Sequence, residues 1–291
     1  MTNDRRMSLR RRLRALLVLG RVSNLPTVWS NCLAAWLLGG GGPWGRFASL
    51  CGGATLLYTG GMFLNDAFDA SFDRQYRPER PIPAGQIGAR TVWSLGLVFL
   101  IVGWLLLVPL GKSAAVFGAL LLAAILIYDT VHKRTALAPL LMATCRFLLY
   151  LIAASAAEHG PGGTVLWRAL ALAAYIVGLS YLARGESTGA TSGRWSIVLL
   201  AAPMIVAVIA TARIAWFVWA VLAIQGIWVL WCLRSIFMRE KHYVGSAVAG
   251  LLAGIVLVDW LAISGQGQRM SAVFIGLFLL ALLLQRLAPA T

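Results

Sequence analysis

From about residue 15 onward the chain is a succession of apolar runs separated by short polar breaks. The first run reaches about Leu38, and later ones fall roughly at 47–64, 90–110, 114–128, 139–157, 166–183, 196–212, 214–237, 243–263 and 270–287. Most approach the roughly 20 residues that carry a helix through a bilayer core. The pattern therefore predicts ten spans, with the least distinct division near Arg213, where two runs nearly merge. The longest break, 65–89, is too short for a soluble domain, and no shift in composition marks a boundary. Residues 1–291 are expected to form one all-α, polytopic membrane bundle.

Composition agrees with this reading. Hydrophobic residues make up 60% of the chain and charged residues only 12%, about half the charged share of soluble domains. A formal charge of +15 would suggest nucleic acid in a soluble protein, but here topology explains it. If the N-terminal cluster Arg5, Arg6, Arg10, Arg11, Arg12 and Arg14 is cytoplasmic, so are Arg21, 65–90, 129–138, 184–194, 234–242 and the C-terminus. Arg46, Lys112, Arg168, Arg213 and Arg269 then lie on the other side and Arg146 within a span, which leaves 19 of the 25 Lys and Arg residues inside. That is the positive-inside bias, reinforced by attraction to anionic lipid, so nucleic acid is excluded as a partner. The basic start resembles a signal peptide but lacks a small-residue cleavage site, so a retained first span is expected. The setting expected is a bacterial inner (cytoplasmic) membrane. Cys32, Cys51, Cys145 and Cys232 sit in apolar runs without a CxxC spacing and are read as packing residues.

Candidate chemistry gathers on the cytoplasmic side. Asn65-Asp66-Ala67-Phe68-Asp69-Ala70-Ser71-Phe72-Asp73 places three carboxylates at spacings of three and four, on one face of a helix. Carboxylates that close repel unless a cation lies between them. Mg2+, which is held through one or two carboxylates plus substrate phosphates, suits this set better than Ca2+ or Zn2+. The rival reading is an acidic helix end paired with Arg74, Arg77 and Arg80. A second loop, Tyr128-Asp129-Thr130-Val131-His132-Lys133-Arg134, offers adjacent cations for phosphate oxygens, although topology alone also demands Lys and Arg there. His132 and His159 are read as ordinary loop residues. A third loop, Tyr181-Leu182-Ala183-Arg184-Gly185-Glu186, supplies one carboxylate, either a further metal ligand or a partner of Arg184 or Arg194. Arg146, about eleven residues into its predicted span, needs an acidic or anionic partner. Asn24, in the first span, either bonds a neighbouring helix or touches a ligand.

These residues resemble the UbiA superfamily of intramembrane prenyltransferases. The likeness rests on Asn65-Asp66-x-x-Asp69-x-x-x-Asp73, on Arg80-Pro81-Ile82-Pro83-Ala84-Gly85 and on Tyr128 with Lys133-Arg134. It covers most of the chain to about residue 195. The resemblance implies nine or ten helices around a central cavity and Mg2+ bridging the acidic residues to an isoprenyl diphosphate. By that likeness Asp66, Asp69 and Asp73, with Glu186, would hold metal. Lys133, Arg134 and Arg80 would bind diphosphate oxygens, Asn65 would help to orient the metal or the diphosphate, and Tyr128 and Tyr181 would line the cavity, while Asn24 and Arg146 are candidate substrate contacts as intramembrane polar groups. The reaction implied is transfer of the isoprenyl group to an unidentified acceptor in the membrane. Two departures stand out: the second aspartate-rich motif usual in the family is reduced to Glu186, and hydropathy favours ten spans rather than nine. The reduced motif keeps terpene cyclisation on the same scaffold as an alternative. A transporter or lipid carrier is the rival from another class; against it, charged residues are sparse in mid-span and polar groups crowd one face.

Overall fold

The computed structural model describes residues 9–188, 195–210, 215–237 and 244–288, and among these all regular structure is helical. In chain order the helices are α1 (Leu9–Leu19), α2 (Leu25–Leu38), α3 (Trp44–Phe68), α4 (Ala70–Tyr76), α5 (Ala89–Leu107), α6 (Lys112–Val131) and α7 (Ala138–Ser155). There follow α8 (Gly163–Thr188), α9 (Trp195–Leu200), α10 (Ala202–Ala210), α11 (Trp216–Phe237), α12 (Val244–Ala253), α13 (Ile255–Ile263) and α14 (Ser271–Gln285).

Every apolar run becomes helical, yet only 7 segments among the described residues are long and apolar enough to cross a membrane. The shortfall from nine or ten has a local cause in each case. The first run breaks where Arg21 takes a left-handed φ of 41° and Pro26 opens α2. The seventh divides at Ala201 into α9 and α10, with Pro203 in the first turn of α10, where a missing N–H is tolerated. The last, α14, has 15 residues. Hydropathy averages over such interruptions and cannot see them.

At the centre stands α2, packed against α7, α13, α3 and α14. Beside it, α3 and α5 run against each other along their length. Their approach depends on glycines seven residues apart on each helix, Gly53 and Gly60 facing Gly103 and Gly96. A Cβ on Gly60 would lie 2.9 Å from the Gly96 carbonyl oxygen, and one on Gly103 2.9 Å from that of Gly53. Backbone thus lies on backbone, the small-residue packing that holds helices together where no hydrophobic force distinguishes neighbour from lipid. The outer face of α5 is apolar and exposed at Leu97, Val98, Ile101 and Leu105, as a lipid-facing surface must be. An apolar groove of about 360 Å³ lies between α7 and α8, lined by Leu140, Thr144, Phe147 and Leu170 among others.

Candidate active site

The site is built where α3 ends. Asn65 and Asp66 occupy its last turn, Asp69 is the single residue between α3 and α4, and Asp73 lies in the first turn of α4. The backbone bonds Asp69 N to Asn65 O and Asp73 N to Asp69 O, at 3.0 and 2.9 Å, carry the helical rise across the junction. All four side chains are therefore presented to the same side, and all are buried, Asp73 being 2% exposed. Next, the chain folds back through 77–87. Ile82 anchors this turn by packing into a cluster with Leu19, Phe63, Ala67 and Val92, and Gly85 closes it at φ 68°. That anchoring delivers Arg80 to the carboxylates.

One guanidinium nitrogen serves two of them: Arg80 Nη1 donates to Asp66 Oδ1 at 3.0 Å and to Asp73 Oδ2 at 3.2 Å. Arg21 Nη2 lies 3.7 Å from the same Asp66 oxygen and donates to Asn65 Oδ1 at 3.5 Å. Asn65 Nδ2 in turn donates to Asp129 Oδ1 at 3.1 Å. Asp69 belongs to a separate set. Its Oδ1 accepts from Lys133 Nζ at 2.8 Å, and its Oδ2 lies 3.4 Å from His132 Nε2. The Lys133 ammonium also sits 3.8 Å above the Phe72 ring, and His132 stacks on Tyr128 at 5.1 Å. Burial works against the Asp69 carboxylate, but hydrogen bonds from His132 and Lys133 outweigh it and hold its pKa below the usual value. Burial likewise disfavours charged His132, and the Asp69 bond more than offsets it, raising the imidazole pKa.

The three expected carboxylates lie at the same end of the bundle, in two sets: Asp66 and Asp73 share Arg80, and Asp69 pairs with Lys133. Among the described residues no group of three or more His, Cys, Asp or Glu side chains converges as for a metal ion. Asp66 and Asp73 remain a fitting pair: both reach the same nitrogen, and the second oxygen of each makes no hydrogen bond or ion pair among the described residues. Two carboxylates around a shared positive charge, offering only hard oxygen donors, match what Mg2+ asks of a protein. The rival reading of an acidic end paired with arginines holds for Arg80 alone, since Arg74 and Arg77 are exposed.

The other expected residues are distributed more widely. Arg134 is exposed, with no ion pair among the described residues. Tyr181 donates to the Ala136 carbonyl at 3.0 Å and packs edge-on against Trp195, so it braces the loop after α6 instead of facing the carboxylates. Asn24 is buried at the break between α1 and α2. The side chain of Glu186 lies outside the described residues. His132 is no ordinary loop residue but a partner of Asp69. Arg21 was visible as a lone cation in the first run but not as a partner of Asp66. Asp129, 3% exposed and with Oδ2 unpartnered, went unused although it adjoins Tyr128. Asp259, fully buried, was signalled only by being the one acid in a long apolar run.

A model of the UbiA prenyltransferase family matches residues 23–242. The chain belongs to that family. Its apolar helices and this membership make it an integral membrane protein. Among curated UbiA relatives, a digeranylgeranylglyceryl phosphate synthase of Ignicoccus hospitalis is 35% identical over 159 residues. That stretch is 53% of this chain and 52% of the relative, so the match spans about half of each. A 4-hydroxybenzoate octaprenyltransferase of Cupriavidus necator is 33% identical over 92 residues, 31% of this chain and 32% of the relative. The apo structure of a UbiA homolog from Aeropyrum pernix K1 superposes with a TM-score of 0.64 at 16% identity, covering 86% of this chain and 99% of that one. That likeness establishes the shared fold.

Proposed function

We propose that this protein transfers an isoprenyl group from an isoprenyl diphosphate to an acceptor within the membrane, with Mg2+ held by Asp66 and Asp73. The observation that carries the reading is the pairing of buried carboxylates with Arg80 and Lys133 at one end of an apolar bundle of the UbiA family. Bound there, Mg2+ would supply Lewis-acid neutralisation of diphosphate charge. Lys133 and Arg80, both already at the carboxylates, would turn donors towards the diphosphate oxygens, and exposed Arg134 would add a third charge. Asn65, fixed between Arg21 and Asp129, would orient the head group. In the reaction the bond between the first isoprenyl carbon and the diphosphate oxygen breaks, with the electron pair leaving on diphosphate. The acceptor nucleophile then bonds to that carbon and gives up its proton. Phe72, whose face carries the Lys133 ammonium, and Tyr128, on which His132 stacks, would help to hold these two cations in place for the diphosphate.

The names of the two relatives suggest acceptors to try first: 4-hydroxybenzoate and a monogeranylgeranylated glyceryl phosphate. The cytoplasmic placement of the mouth rests on the distribution of Lys and Arg. The decisive assay incubates the protein in lipid with isoprenyl diphosphates, with and without Mg2+ and each acceptor. Mg2+-dependent formation of a prenylated acceptor supports transfer. Pyrophosphate release without acceptor, accompanied by a cyclic hydrocarbon or alcohol, would replace it with cyclisation.

A further inference from the structure

Below the acidic mouth lies a second polar cluster that the reaction outlined above does not use. Its cation is Arg146 on α7. Arg146 Nη1 donates to Asn31 Oδ1 at 2.7 Å and Nη2 to Thr27 Oγ1 at 3.0 Å, and the guanidinium stands 5.8 Å from the Tyr58 ring centroid. Both hydrogen-bond partners are neutral. Among the described residues no carboxylate lies within ion-pair distance of Arg146, and the residue is only partly covered by protein. The nearest negative charge is held one residue away: Asp259 Oδ2 accepts from Asn31 Nδ2 at 2.7 Å and from Ser30 Oγ at 2.5 Å, and its Oδ1 accepts from Tyr150 OH at 3.0 Å. With three donors on the carboxylate, Asp259 is stabilised without touching the arginine. Its bond to Asn31 also decides which end of that amide faces Arg146: the Nδ2 group is engaged, so Oδ1 must turn to the guanidinium.

A guanidinium carries five N–H donors, and two are used here. A cation in a membrane interior, aimed by neutral oxygens and left with spare donors, is the arrangement that receives an anion. Its depth suits a second substrate. Tyr58 precedes Asp66 by eight residues on the same helix, roughly 12 Å along the axis, so this anchor lies about two turns deeper than the carboxylates that would bind the diphosphate.

We infer that Arg146 anchors an anionic oxygen group, carboxylate or phosphate, of the acceptor, with Thr27 and an Asp259–Asn31 relay as positioning residues. The inference rests on the transferase reading, because it calls the bound anion an acceptor. The alternative is a purely structural core in which Arg146 and Asp259 balance each other through Asn31.

The test is isothermal titration calorimetry on the full chain in lipid nanodiscs, in chelator-containing buffer, with 4-hydroxybenzoate as carboxylate probe and 1-oleoylglycerol 3-phosphate as phosphate probe. Wild type should bind at least one probe. Arg146→Gln should weaken that binding about tenfold or more, the scale of one charge-assisted hydrogen bond, and Arg146→Lys should recover part of it. Thr27→Val, which keeps the shape and removes one aiming oxygen, should weaken it about threefold to fivefold and serves if Arg146→Gln does not fold. Binding of geranylgeranyl diphosphate with Mg2+, measured separately, should change less than about twofold in each variant. Equal probe binding by wild type and Arg146→Gln, or no binding of either probe to wild type, overturns the inference. If the probes bind through Arg146 while geranylgeranyl diphosphate with Mg2+ does not bind, the anion site stands and the transferase reading falls.

Discussion

The two charged clusters of this bundle are wired in opposite ways. At the mouth, carboxylates meet cations directly: Arg80 bridges Asp66 and Asp73, and Lys133 caps Asp69. In the interior, Arg146 and Asp259 are kept apart by Asn31 and satisfied by hydroxyls and an amide. Direct pairs near a solvent-facing edge can exchange partners, because water and incoming ions share the cost of separating them. A charge deep in the bundle has no such help, and removing one member of its network strands the others. The mouth is therefore suited to handing its carboxylates from a protein cation to a metal and diphosphate. The interior is suited to holding one fixed geometry.

Substitutions in the two clusters should thus differ in kind. Asp66→Ala should cost about a thousandfold in kcat/KM, the upper range for losing a charge-stabilising group, while leaving the melting temperature nearly unchanged; a large loss of thermal stability would place Asp66 with the interior class. Asp259→Leu should do the reverse, destabilising the fold by about 3 kcal/mol through orphaned donors on Asn31 and Tyr150, as read by thermal unfolding in detergent. Gly60→Val tests the frame that carries the mouth. The new side chain meets the Gly96 carbonyl, and a cost of about 2 kcal/mol is expected, again from thermal unfolding; no effect would mean that α3 and α5 can part freely.

The smallest effect concerns pH. The raised His132 pKa means that its contribution is fully present below the unfolded value of about 6.5 and is lost as pH rises through the folded value. The depressed Asp69 pKa means that its contribution is present above about 3.9 and is lost as pH falls through the folded value. The Asp69–His132 pair should therefore protect the 132–137 loop best between about pH 4 and 6.5, and the hydrogen-exchange protection of that loop, relative to the intrinsic base-catalysed rate at each pH, should fall above neutrality. Protection that is constant across this range, or identical in His132→Gln, would remove the pair from the mouth's wiring.

The same contrast explains what could be read from the chain. The mouth is local: Asn65 to Arg80 is a short segment whose spacing puts its groups together, and Lys133 is a cation next to a span end. Its carboxylates were legible, but their division was not, because spacing cannot show which cation lodges between which acids. That is how the pairing of Asp69 with Lys133 stayed hidden and how His132 looked ordinary. The interior cluster joins residues 228 positions apart. In sequence it leaves only a solitary arginine and a solitary aspartate, and nothing to say that an asparagine stands between them. Spans were legible as apolar runs, whereas the break at Arg21 and the division at Ala201 are backbone events within them.

The glycine contacts between α3 and α5 bear on motion. With backbone against backbone at Gly60 and Gly96, the two helices behave as a single double-width rod, and the end of α3 that carries Asn65 and Asp66 cannot swing without dragging α5 along. Any gate at the mouth must then be made by the other partners. These are the 77–87 turn that brings Arg80 and the segment after α6 that brings His132 and Lys133, both of which meet the carboxylates on a floor fixed by backbone packing.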